Sequence, residues 1–165
     1  MERKCSMRRI ALLAGVLGSL AFASQAAAAT AGVSVSMTLA EPIQPGLVSG
    51  CPISPMDGLC GSGEVIPFGH ATDTVIFSAG TCPGCDQRTI NLPEGSLIFD
   101  ELFSNPTCPV CGIPGRGQPA AGTVSDKVLS GTGIFAGASG RLSGHVHAAG
   151  TAGITKLSGT LILAS

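Results

Sequence analysis

Residues 33–40 alternate strictly between apolar and hydroxyl side chains. Val33, Val35, Met37 and Leu39 fall on one face; Ser34, Ser36 and Thr38 fall on the other. A side-chain period of two is the signature of a strand with one face buried. The same period recurs over 122–130, 142–148 and 154–163, where Leu157, Leu161 and Leu163 share a face. Residues 72–78 are β-branched and read as another strand. Residues 89–92 and 96–103 flank Pro93-Glu94-Gly95, which reads as a hairpin turn. No stretch beyond the N-terminal segment has a helical period. The expected fold is all-β, a small antiparallel barrel or sandwich, with closure favoured because it leaves no free strand edge.

Two Pro/Gly-rich stretches interrupt the pattern. Residues 41–63 hold four prolines, five glycines and the cysteines Cys51 and Cys60, and read as a tethered loop. Residues 104–121 read as a second loop.

The N-terminus has three zones. Arg3, Lys4, Arg8 and Arg9 precede an uncharged apolar run over 10–22, followed by alanine-rich sequence to Ala29. This is the layout of a bacterial-type signal peptide, and the run is short for a membrane span of about 20 residues. Residues 1–29 are therefore expected to be removed, leaving 30–165 as a single β-domain in the periplasm or outside the cell. Cys5 would leave with the signal peptide. The remaining 136 residues carry five basic and nine acidic side chains, a net charge of −4. No basic patch is expected, so neither nucleic acid nor, after cleavage, a membrane is an expected partner. Trp and Tyr are absent, which removes the usual stacking platforms for bases and sugars.

The exported compartment governs how the six remaining cysteines read. Cys82-Pro83-Gly84-Cys85 and Cys108-Pro109-Val110-Cys111 are two C-x2-C pairs separated by 22 residues. The expected hairpin between them returns the chain on itself and should bring the two loops together. Three chemistries fit. Disulfides among Cys51, Cys60, Cys82, Cys85, Cys108 and Cys111 suit an oxidising compartment, with fifteen possible pairings. A tetrahedral zinc, or less favourably iron, site on Cys82, Cys85, Cys108 and Cys111 satisfies ligand count and spacing. A redox-active Cys-x-x-Cys needs a helix N-terminus to stabilise its thiolate, and the pattern offers none.

His145 and His147 share a strand face with Arg141 and Ser143, and could bind metal with His70 or a carboxylate as a third ligand. A solvated strand face is the simpler account of them. Asp100 and Glu101 are neighbours on a strand and so point to opposite faces, which suits them poorly to paired acid–base work. No catalytic set emerges.

Residues 131–140 read Gly-Thr-Gly-Ile-Phe-Ala-Gly-Ala-Ser-Gly. This resembles the Gly-x-Gly-x-Phe-x-Gly-Ala-x-Gly segment of allene oxide cyclase and dirigent-like β-barrels, and of small exported bacterial proteins without an assigned activity. The resemblance covers about residues 123–163. It implies a β-barrel in which the glycines allow tight bends and Phe135 plugs the core; it carries over no catalytic residue. The cysteine loops are in turn similar to zinc-ribbon and rubredoxin knuckles, a likeness strongest at Cys108-Pro109-Val110-Cys111-Gly112. The favoured function is an exported, non-enzymatic barrel with a binding or structural role, without a cofactor and held by cysteine cross-links. A zinc-binding protein is the alternative, and a barrel-cavity isomerase or cyclase comes third, from the resemblance alone.

The export reading predicts a mature chain that begins between residues 28 and 31. Intact mass of protein recovered outside the cytoplasm checks this; a mass that retains residues 1–22 refutes it.

Overall fold

The structure is a computed structural model, and it describes residues 32–42, 51, 53–54, 57–105, 120–149 and 152–164. Residues 1–31, which include the expected signal peptide, most of the two Pro/Gly-rich stretches, and Cys108 and Cys111 lie outside those residues. Eight strands close into an antiparallel barrel in which each pairs with its chain neighbours and the last pairs with the first. They are β1 (Gly32–Pro42), β2 (Gly58–Ile66), β3 (Gly69–Ile76), β4 (Asp86–Leu92), β5 (Gly95–Ser104), β6 (Ala120–Gly131), β7 (Ser139–Ala149) and β8 (Ala152–Ile162). Among the described residues, no helix is long and apolar enough to cross a membrane.

The barrel rather than the sandwich is realised, and the alternation of 33–40 is its first wall. Val35, Met37 and Leu39 are buried while Ser34, Ser36 and Thr38 face outward. The expected loop over 41–63 needs correction. β1 runs on to Pro42, and β2 begins at Gly58 and pairs with both β1 and β3. Its glycines hide it from a period-two reading, and they are there for contact. A Cβ on Gly63 would lie 2.0 Å from the Thr38 carbonyl oxygen, so only glycine lets the two backbones meet. The second loop is likewise shorter than expected, because β5 reaches Ser104 and β6 starts at Ala120.

One end of the barrel is closed by the glycine-rich segment. A single 3-10 turn at Gly133–Phe135 tucks the Phe135 ring into the core, where it is fully buried. Phe68, in the β2–β3 turn, meets that ring edge-on with centroids 4.9 Å apart. Gly133 has φ +59°, and a Cβ there would lie 2.0 Å from the Glu94 carbonyl oxygen. The β4–β5 turn therefore packs directly on this segment, and the Ile134 amide donates to Glu94 O at 3.1 Å. Leu142, Leu157 and Leu161 are buried beside it, and Leu163 packs against their edge.

Phe135→Ala should lower unfolding stability by about 3–5 kcal/mol, because removing a fully buried ring from the core cluster leaves a cavity. Denaturant titration followed by circular dichroism measures this; a loss below about 1 kcal/mol would mean the ring is not the plug.

Candidate functional site

Above the apolar half of the barrel, the inward positions turn from aliphatic to charged. Arg88 takes the place of an apolar residue on β4, where Ile90 and Leu92 follow it on the same face. Glu41 extends the inner row of β1 beyond Leu39, and Asp73 stands between Ala71 and Val75 on β3. Glu101 follows Leu97 and Phe99 on β5, and Asp126 stands between Val124 and Val128 on β6. All five are buried, with Arg88 at 1 % exposure and Asp126 at 0 %. They lie in the half of the barrel that faces the β1–β2, β3–β4 and β5–β6 connections, the same end that carries the cysteines.

Arg88 is the centre of this cluster. Its Nη1 donates to Glu41 Oε1 at 2.6 Å and to Asp73 Oδ2 at 2.5 Å. Its Nε donates to Glu101 and lies 3.6 Å from Asp126 Oδ2. Thr155, on β8, donates its hydroxyl to the other oxygen of Glu41 at 2.7 Å. Gly61 on β2 makes the room, since a Cβ there would lie 2.9 Å from Glu41 Cγ.

One guanidinium faces four carboxylates, so full ionisation would leave a buried net charge of minus three. Buried charge of that size is relieved by taking up protons. Burial, opposed by Arg88, pushes Asp73 well above the ordinary carboxylate range. Burial, reinforced by Glu101, does the same to Asp126, and burial raises Glu101 as well. For Glu41 burial is outweighed by the pull of Arg88 and by hydrogen bonds, so it stays lowered and ionised. Glu101 and Asp126 are direct cross-strand partners, where two negative charges repel. With both ionised, neither oxygen of Asp126 has a hydrogen-bond donor, and Oδ1 of Asp73 also lacks one. A proton on one member of each carboxyl pair converts the repulsion into an O–H···O bond, and the pairs titrate as units. The cluster is thus a proton-holding plug anchored by a single cation.

The outer wall presents a second arrangement. A groove of about 730 Å³ runs over β1, β8, β7 and β6 and reaches Ser104 on β5. Cross-strand register assembles its floor. Ser36, Ser158, Ser143 and Ser125 stand opposite one another across four strands. The next row is Thr38, Lys156, His145 and Thr123.

The residues singled out from sequence distribute as follows. Cys51 pairs with Cys60, and Cys82 pairs with Cys85 inside its own loop. That second pairing occupies two of the four sulfurs a zinc centre would need as thiolates; Cys108 and Cys111 lie outside the described residues. The Cys82–Cys85 loop is a turn and not a helix N-terminus. It is fixed over β5, where Thr81 donates its amide to Asp100 at 2.6 Å and its hydroxyl to the same carboxylate. His145 and His147 are exposed on one outer face of β7, as expected from their spacing. His70 is not with them: it sits on β3, four strands away around the barrel, 3.3 Å from Glu64. Asp100 and Glu101 do point to opposite faces, Asp100 to the cysteine loop and Glu101 to Arg88. Compared with known proteins, the chain matches no protein family, no curated protein and no solved structure.

The cluster sets a pH dependence. Asp73, Glu101 and Asp126 hold protons more tightly in the barrel than in the unfolded chain, where the ordinary values are 3.8 for Asp and 4.5 for Glu. Their contribution is complete below those values and declines as pH rises through the raised ones. Glu41 acts oppositely: its contribution is present above its ordinary value and is lost as pH falls through its lowered one. Three groups oppose one, so thermal melting should show a more stable barrel at about pH 5 than at about pH 8, and Asp126→Asn should flatten that slope. Arg88→Met should cost about 3–5 kcal/mol at neutral pH by stranding the carboxylates, and less in acid. A pH-independent melting temperature would contradict this assignment.

Proposed function

We propose that the protein is an exported β-barrel, cross-linked by disulfides, that works by binding on its outer wall and not by catalysis. The observation that carries this reading is where space is available. The barrel axis is filled by Phe99, Phe135, aliphatic side chains and the Arg88 cluster, all buried. The groove of about 730 Å³ lies outside, and its volume falls within the range of small-molecule and oligomer sites. Two disulfides suit an oxidising compartment, which agrees with the basic, apolar and alanine-rich zones of residues 1–29.

A second reading is favoured by Asp126, whose carboxyl is buried, raised and without a donor. Raised buried acids are frequent among proton-transfer catalysts. A barrel isomerase or cyclase would use this group, in keeping with the resemblance of residues 131–140. Among the described residues, Asp126 faces Arg88 and Glu101, and the space described lies on the outer wall, which favours the binding role.

Alkylation and mass spectrometry of protein recovered from the periplasm or medium should find no free thiol among the six cysteines. Replacing Cys51 and Cys60 together by alanine should cost about 2–4 kcal/mol. Four free thiols with bound zinc would replace this reading with the metal-binding one, and recovery only from the cytoplasm would overturn the export.

A further inference from the structure

We infer that the outer-wall groove binds an acidic oligosaccharide, held by cations on both sides of a serine floor; this rests on the outer-wall binding role proposed above. The argument begins with how the charges are sorted. By count the exported chain is anionic, and on count alone no basic patch is expected. The barrel concentrates its cations nonetheless. Among the described residues there are four Lys and Arg side chains; Arg88 is buried, and the other three, Lys127, Arg141 and Lys156, all project outward from β6, β7 and β8. His145 and His147 join them on β7. The outward positions of β1, β6, β7 and β8 carry no carboxylate, whereas Asp57, Glu64, Asp86 and Glu94 belong to the β2–β4 side and its turns.

Register places the Lys and Arg side chains in two parallel rows, Lys156 within the groove lining and Lys127 and Arg141 beside it, beyond the serine row. Lys127 and Arg141 are direct cross-strand partners, with Thr160 and Ser34 continuing the row. Lys156 and His145 are partners in the second row. The four serines lie midway between the rows. Along β7, Arg141 and His145 are four residues apart, or about 13 Å, and the serine row crosses about 14 Å of wall. Like charges placed opposite one another cost stability. Asp100 on β5 faces Lys127 and offsets its charge. Arg141 and Lys156 have no acid among their cross-strand partners, so an anion lying across the wall would meet both uncompensated.

The chemistry of the floor selects among anions. Serine and threonine hydroxyls both donate and accept, which matches a ligand dense in hydroxyl groups. With three Lys and Arg side chains, the patch lacks the charge density that a nucleic acid requires. The absence of Tyr and Trp removes stacking for bases and sugars alike, so a sugar here is held by charge and hydroxyl contacts alone. A sugar chain with carboxylates or sulfates at its flanks and hydroxyls between fits both rows and the floor. Its binding would be mostly electrostatic, and therefore salt-sensitive.

The test is amide chemical-shift mapping on the disulfide-bonded mature protein, titrated separately with an oligogalacturonate, the same oligomer methyl-esterified on its carboxyls, inorganic polyphosphate, and anionic phospholipid vesicles. The expected result is saturable shifts with the oligogalacturonate, confined to β1, β6, β7 and β8, absent with the ester and weakened by salt. Affinity should fall tenfold or more in Arg141→Gln/Lys156→Gln. It should fall similarly in Ser143→Leu, which fills the floor without changing charge. All three positions are exposed, so an unchanged amide spectrum certifies the fold. Equal binding of the ester overturns the role of the cations. Tighter binding of polyphosphate or vesicles in the same groove overturns the sugar assignment while leaving the outer-wall binding role intact. Groove shifts with none of the four probes overturn the ligand class, and an oligogalacturonate response confined to the β2–β4 wall overturns the site itself.

Discussion

The guanidinium of Arg88 is the interaction on which the upper half of the barrel depends. Four strands send a carboxyl group to it, and β8 adds the Thr155 hydroxyl through Glu41. Desolvating so many charges would be prohibitive if each stayed ionised, because attraction to one cation cannot offset four burials. The carboxyl pairs solve this by keeping protons. Arg88 itself is held charged by the carboxylates that surround it, against the effect of its own burial. What results is a polar core with directional bonds, in contrast to the non-directional packing around Phe135 at the other end. Directional bonds to β1, β3 and β5 fix the register of strands whose connecting loops are long.

The division of labour between the ends follows from those loops. Short connections, the β2–β3 and β4–β5 turns and the Gly133–Phe135 segment, close the apolar end. The β1–β2, β3–β4 and β5–β6 connections, all longer, emerge above the charged end beside the two-residue β7–β8 connection, and the cross-links sit on the first two of them. Cys51–Cys60 ties the first long connection back to β2, and the Cys82–Cys85 loop is fastened to Asp100 on β5. A covalent tie across such a connection reduces the freedom it would otherwise have in the unfolded chain.

Much of this was legible in the sequence, and the exceptions have two causes. The alternation of 33–40, the Pro93-Glu94-Gly95 turn and the burial of Phe135 follow from period and glycine placement. β2 was not legible because Gly58, Gly61 and Gly63 supply no side chains to alternate; their purpose is the approach of β1 and β3 backbones. The Arg88 cluster was missed for a different reason. Counting charges treats each as solvated, yet each of these five residues occupies an apolar slot in a period-two row. Glu41 after Val35, Met37 and Leu39 is the plainest case, and Val124-x-Asp126-x-Val128 is another. A charged residue in the inner register of one strand is unremarkable, but one cation and four acids on five strands form a complementary set. The cationic outer wall was hidden in the same way, since Lys127, Arg141 and Lys156 become neighbours only through strand pairing.

The inner and outer charges lie back to back. Asp126 and Lys127 are chain neighbours that point to opposite faces of β6, so one backbone separates the buried acids from the cationic groove. The cation that acts on the Glu101–Asp126 pair is Arg88, inside the barrel, while exposed Lys127 acts on Asp100 on its own side of the wall. The two faces of β6 thus carry separate charge sets, each with its own partners. If an anion occupied the groove as proposed, its charge would reach the buried pair only through that wall and would favour the protonated form; linkage would make protonation of the pair favour the anion in turn.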